Sequence, residues 1–158
     1  MNEPAPSFTF GDDPDHPGWS RWTINDSTRF NSVFGPLSVR VEDGLARVRF
    51  SPAQIHTNLR GHIHGGALLG FIDMAIFAAG RSFGVLTAGQ AATLDLATQF
   101  IAGAPLDQGP VEARVELLRE TGRLLFLRGL VVQGDETISS FTGTIRKSAR
   151  LVPPPIES

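Results

Sequence analysis

GALLGFIDMAIFAAGRSF, residues 66–83, is the stretch on which the fold turns. Leu68, Leu69, Phe71, Ile72, Ala75, Ile76, Phe77 and Ala78 recur at spacings that surround a helix axis instead of striping one side of it. A helix that is apolar nearly all round is enclosed by other structure. The apolar run from Ala67 to Ala79 is broken by Asp73 and falls short of the roughly 20 residues that span a bilayer, so a buried helix and no membrane partner are expected. Gly84 supplies its stop.

Upstream, Leu37, Val39 and Val41 alternate with Ser38, Arg40 and Glu42, and Ala46, Val48 and Phe50 alternate with Arg47 and Arg49. Asp43-Gly44 between them reads as the turn of an antiparallel hairpin. Downstream, residues 91–101, 111–119, 123–132 and 137–147 favour strand, and the separators 103–109, 120–122 and 133–136 carry the polar and glycine residues of turns. Short turns make consecutive strands antiparallel. Two strands, one enclosed helix and four more strands, with no second helix to cover the sheet, predict an α+β protein in which a curved antiparallel β-sheet wraps around one central α-helix. That is the hotdog fold.

The 158 residues suit one domain, expected over residues 18–150. The segment 1–17, rich in Pro and Asp, is expected to be a mobile arm, and residues 151–158, with three consecutive prolines, a frayed tail. GWSRWTI, residues 18–24, holds three large side chains that should pack back on the domain. The N-terminus lacks the basic start and apolar core of a signal peptide, which points to the cytoplasm. Absence of cysteine excludes a disulfide framework, a thiolate zinc site and a cysteine nucleophile. A formal net charge of −2 with mixed signs gives no field for a nucleic-acid partner.

Asp73 is the only charged residue between His64 and Arg81. A buried carboxylate needs compensation, by an arginine or backbone donors if it is structural, or it is reactive. Gly66, Gly70, Asp73 and Gly80 fall near one helix face, where a ligand, a second helix or a strand can approach the backbone. His64-Gly65-Gly66 lies where the helix begins, so amide N–H groups of the first turn lack partners. Such a turn can hold an oxyanion, or the glycines merely let the loop turn. Asn58 offers an amide to a thioester carbonyl or serves an ordinary turn, and Thr93 shares a strand face with Asp95 by alternation. His56, His62 and His64 lack further ligands at convincing spacing, so no metal is expected. No Gly-x-Ser-x-Gly elbow, phosphate loop or dinucleotide fingerprint is present.

Asn58 through Gly61 to His64-Gly65-Gly66, then Asp73, then Thr93, is a pattern that resembles the PaaI-like branch of the hotdog acyl-CoA thioesterases, from about Phe34 to Arg146. The resemblance implies that Asp73 is nucleophile or general base, that the Gly65 amide polarises the thioester carbonyl, and that Asn58 and His64 support that end of the site. Thr93 stands where many relatives carry a serine that places the attacking water. Gly122-Arg123 resembles a family hairpin whose cation contacts a CoA phosphate. No cofactor is implied. The long N-terminal segment with two tryptophans, and an Arg-rich composition with one lysine, depart from the pattern.

Gly65 and Asp73 are eight residues apart, roughly 12 Å of helical rise. If both serve one thioester, the simplest solution is a two-fold dimer in which Gly65 of one chain faces Asp73 of the other, and the resemblance implies the same arrangement, in a homodimer or homotetramer. The expected function is hydrolysis of an acyl-CoA, aromatic or short to medium in chain, to free acid and CoA. The alternative is a hotdog protein that binds or senses acyl-CoA without turning it over. A dehydratase would need a second carboxylate beside His64, and none is visible. Phe71, Phe77 and Phe83 are candidates for the acyl pocket or for plain core.

Overall fold

The computed structural model describes residues 8–87 and 91–148. The expected tail, residues 151–158, lies outside the described residues, as does the start of the expected arm. Eight strands form one antiparallel sheet: β1 (Phe8–Asp12), β2 (Ser20–Ile24), β3 (Leu37–Glu42), β4 (Leu45–Phe50), β5 (Ala92–Phe100), β6 (Val111–Glu120), β7 (Leu124–Gln133) and β8 (Glu136–Arg146). Their spatial order is β1-β2-β3-β4-β6-β7-β8-β5, and the single α-helix among the described residues, α1 (Gly65–Ser82), packs on the inner face against β3, β4, β5, β6 and β8. This is the hotdog arrangement. No described helix is long and apolar enough to cross a membrane.

Local chemistry explains the elements. The β3–β4 turn has positive φ at both Asp43 and Gly44, the geometry whose twist matches a two-residue hairpin. The β4–β6 ladder sets Val48 opposite Ala113 and Phe50 opposite Val111, so buried alternate residues of neighbouring strands present one continuous apolar surface. Onto it α1 lays Leu68, Phe71, Ile72, Ala75, Ile76, Ala78 and Ala79, all buried. Phe71 meets Phe50 at 4.5 Å between ring centroids and also contacts Phe34. Burying such a side chain is worth about 1.5–3 kcal/mol, and truncation of Phe71 to alanine would cost about 3–5 kcal/mol. The helix stops where Gly84 takes φ 73°, with the Val85 and Leu86 amides turned back onto the Gly80 carbonyl.

Two expectations are corrected. Phe8–Asp12 is not a mobile arm but β1, paired with β2, which in turn pairs with β3. Average composition hides the reason: Phe8 stacks on Trp22 at 5.5 Å and Phe10 meets it edge-on at 5.6 Å, an aromatic cluster that offsets the ordering entropy. The intervening loop is tied down by Asp13, which accepts hydrogen bonds from the Ser38 hydroxyl, the Asp15 amide, His16 and Arg21. Burial alone would raise the Asp13 carboxyl, but the Ser38, His16 and Asp15 hydrogen bonds and the Arg21 charge bring it down to about 2. The second correction concerns residues 103–109, which do not make a hairpin. Both edges of β6 are taken by β4 and β7, so β5 crosses to pair with β8 and becomes an edge of the sheet.

Candidate active site

The segment after β4 is built by side chains that replace a regular ladder. The His56 ring is buried, stacked on Phe34 at 5.4 Å, with Nδ1 accepting from the Ala53 amide and Nε2 donating to the Val33 carbonyl. The Asn58 carboxamide oxygen accepts from the backbone amides of Arg60, at 2.9 Å, and His62, at 3.2 Å, and the Asn58 backbone N–H donates to the His62 carbonyl. Asn58 therefore closes the loop that carries exposed Leu59 and Arg60. A cleft of about 500 Å³ opens there, lined by Thr57, Asn58, Leu59, Arg60 and His64.

His64 is the N-cap of α1, and its Nδ1 accepts the Gly66 amide at 2.9 Å. An accepting Nδ1 fixes the neutral tautomer with its proton on Nε2. The next free donor in the turn is then the Gly65 N–H, for which no acceptor exists among the described residues. The Phe100 ring, 53% exposed, stands over Gly65, where an added Cβ would sit 3.2 Å from the ring. The donor thus lies at the positive end of α1, with glycine on one side and an aromatic wall on the other.

Asp73 is half-buried two turns further on, and the Thr93 hydroxyl donates to its Oδ1 at 2.6 Å. Its compensation is a neutral hydroxyl, not an arginine. Alternation placed Thr93 and Asp95 on one face of β5, and this is corrected by a bulge between them. Thr93 lies opposite buried Ile145 and Asp95 opposite Thr144, so the extra residue turns Thr93 inward and Asp95 outward. Gly122 and Arg123 occupy the β6–β7 turn, where the Thr121 hydroxyl accepts the Leu124 amide. The register Leu124–Arg146–Ala92 lies one residue beyond the row that holds Thr93, which sets Arg123 of this turn two residues beyond it, so exposed Arg123 and Arg146 flank the Asp73 end of the molecule.

The chain thus assembles two groups: Asn58, His64, Gly65 and Gly66 at the helix start, and Asp73 with Thr93 two turns along. It does not bring them together. The glycine face of α1 is filled by the chain itself at two positions: a Cβ at Gly70 would meet Phe30 and Phe34, and one at Gly80 would meet Leu86 and Leu125. Among the described residues no three His, Cys, Asp or Glu side chains group as a metal would require. A larger cleft of about 790 Å³, on the sheet between Arg114, Arg128, Ser140 and Thr142, touches none of the candidate residues. Sequence reasoning missed Phe100 and Phe30, which is 66% exposed and rests on Gly70 one turn before Asp73. The pairing of a large ring with a glycine was the signal, but the two partners are far apart in the chain.

A family model described as the Thioesterase superfamily matches residues 60–140, just over half of the chain. No protein of curated function matches the sequence. Among solved structures, conserved protein PA5202 from Pseudomonas aeruginosa is 28% identical with a TM-score of 0.63, over 75% of this chain and 93% of that one. A mutant of the phenylacetic acid degradation protein PaaI from Thermus thermophilus is 28% identical with a TM-score of 0.61, over 75% and 98%. BH2602 from Bacillus halodurans, solved with CoA, is 22% identical with a TM-score of 0.59, over 69% and 71%, a likeness of fold alone.

Proposed function

Because the chain belongs to the thioesterase superfamily, we propose that it hydrolyses an acyl-CoA to the free acid and CoA, at a site shared between two copies. The observation that carries this reading is the pair of half-sites on α1: a bare Gly65 N–H at its start, and Asp73 held by Thr93 eight residues later. Water attacks the thioester carbonyl while Asp73 takes its proton, or the carboxylate attacks first and water resolves the anhydride. The Gly65 N–H of the other copy receives the developing oxyanion, the C–S bond breaks, and the proton passes to the departing CoA thiolate. One oxyanion donor is worth about 3 kcal/mol in such a transition state. General-base assistance adds roughly 100-fold to 10,000-fold.

Thr93 spends its hydroxyl on one carboxylate oxygen, leaving the other for water. His64 caps the helix so that Gly65, not Gly66, keeps the open donor. Asn58 braces the loop in front of it. Arg123, with Arg146 beside it, suits the CoA phosphates. A second copy is favoured by β5, an edge strand whose Leu94 and Phe100, with Ile101 beyond them, are each more than half exposed. Within the expected range of aromatic or short to medium acyl groups, the PaaI protein's association with phenylacetic acid degradation favours an aromatic one. No cofactor enters the chemistry.

Asp73→Asn, assayed for CoA release over a substrate panel, is expected to lose about 1,000-fold or more while remaining folded. Near wild-type turnover by the folded variant rejects the role. Full specific activity of a monomer at high dilution rejects the shared site.

A further inference from the structure

Arg81, in the last turn of α1, is a half-buried arginine that meets no carboxylate among the described residues. Arg21, Arg40, Arg47, Arg49 and Arg114 are also half-buried, and each meets an Asp or Glu. Arg81 instead lies against rings, its guanidinium carbon 4.9 Å from the Phe8 centroid and 5.8 Å from that of Trp22. Aromatic faces and the negative end of the helix dipole account for the charge. They do not use its N–H groups, which lie in the guanidinium plane. Beside it the Trp22 Nε1–H is buried with no acceptor among the described residues. Two sets of unspent donors therefore meet at one contact. The acceptor that fits a planar fork plus one further N–H is a carboxylate.

Met74, Phe77 and Arg81 follow one another at helical spacings of three and four, beginning beside Asp73, and Met74 and Phe77 are half-buried and apolar. The line from Asp73 to Arg81 runs about 12 Å along the axis. We infer that Arg81 and Trp22 form a carboxylate site that holds the far end of a dicarboxylic acyl group, whose methylenes lie along Met74 and Phe77 and whose thioester reaches Asp73. The inference rests on the thioesterase reading for the substrate, but not for the site itself. The β1–β2 hairpin is thereby part of the substrate's binding surface, since Phe8 and Trp22 come from it.

Two measurements keep the site and the reaction apart. In the first, indole ¹⁵N–H resonances of the full chain are followed during titration with free octanedioate, with Trp22→Phe used to assign Trp22. The Trp22 signal is expected to shift saturably; no shift overturns the site whether or not the protein hydrolyses thioesters. If Glu3→Gln moves that signal with no ligand added, the chain's own carboxylate is the occupant and the inference fails. In the second, kcat/KM is compared for acyl-CoAs of equal length with and without a terminal carboxylate. The expected preference is tenfold or more for the carboxylate, falling to about unity in Arg81→Gln and partly kept in Arg81→Lys. An indole shift without chain-end preference, or a preference that survives Arg81→Gln, overturns the assignment to substrate.

Discussion

Asp73 on the helix, half-buried, and Glu112 on the outer face of the sheet, buried, are both acids withdrawn from full exposure, and they are treated in opposite ways. Glu112 is 5% exposed and meets Arg114 at 2.8 Å, Arg49 more closely still, and Arg47 at 3.9 Å. Burial raises its carboxyl, but the hydrogen bonds and charges of Arg114 and Arg49 outweigh that and leave it lowered. Asp73 has one neutral hydroxyl. An acid encircled by cations is a poor base, because its lone pairs are committed and its charge is stabilised. An acid with a single hydroxyl partner keeps its remaining capacity for a reactant. Glu112 therefore belongs to the sheet's stability, and Asp73 is the acid free to play the chemical part proposed for it.

That contrast can be broken most sharply at Asp73. Asp73→Asn should cost about three orders of magnitude in kcat/KM and leave the urea midpoint nearly unmoved; a large stability loss with retained turnover would make Asp73 structural. Glu112→Gln should do the reverse, costing about 2–3 kcal/mol in urea unfolding, less than a fully buried pair because its arginines are part-exposed, with kcat/KM within about twofold. Thr93→Val removes the hydroxyl and should lower kcat by roughly tenfold, the value of about 1–1.5 kcal/mol for one hydrogen bond, while Thr93→Ser restores it. A Val variant as active as wild type would strip Thr93 of any part in the site.

The smallest effect concerns acid. The carboxyls of Glu112 and Asp13 are lowered on folding, so their stabilisation is complete above the unfolded values, near 4.5 and 3.8, and is lost as pH falls through the folded ones, which for Asp13 is about 2. Tryptophan emission should therefore report loosening of the β1–β2 loop between about pH 4 and pH 2, and Asp13→Asn should flatten that response. Loosening confined above pH 5 would assign it to other groups.

The sequence carried α1 and the β3–β4 hairpin well, because both announce themselves locally through all-round apolarity and strict alternation. It could not give the partner of β5, since alternation fixes which face a side chain takes and says nothing of which strand lies alongside. Nor could it give β1, whose aromatic residues acquire their value only against Trp22. In the site, Asp73 and His64-Gly65-Gly66 were legible as anomalies, a charge on an apolar helix and glycines at its start. The inward turn of Thr93 depends on a bulge, and the Arg81–Trp22 contact depends on two elements meeting, so neither had a local signature.

The place of β5 at the edge has a consequence for how the molecule comes into being on the ribosome. Its partner among the described residues is β8 alone, so residues 92–100 must wait until residues 136–146 have emerged. Until then β5 is an unpaired apolar strand. The Thr93 hydroxyl reaches Asp73 only when β5 docks, so this hydrogen bond is among the last native contacts formed, and a nascent chain carries the proposed catalytic acid long before its partner arrives.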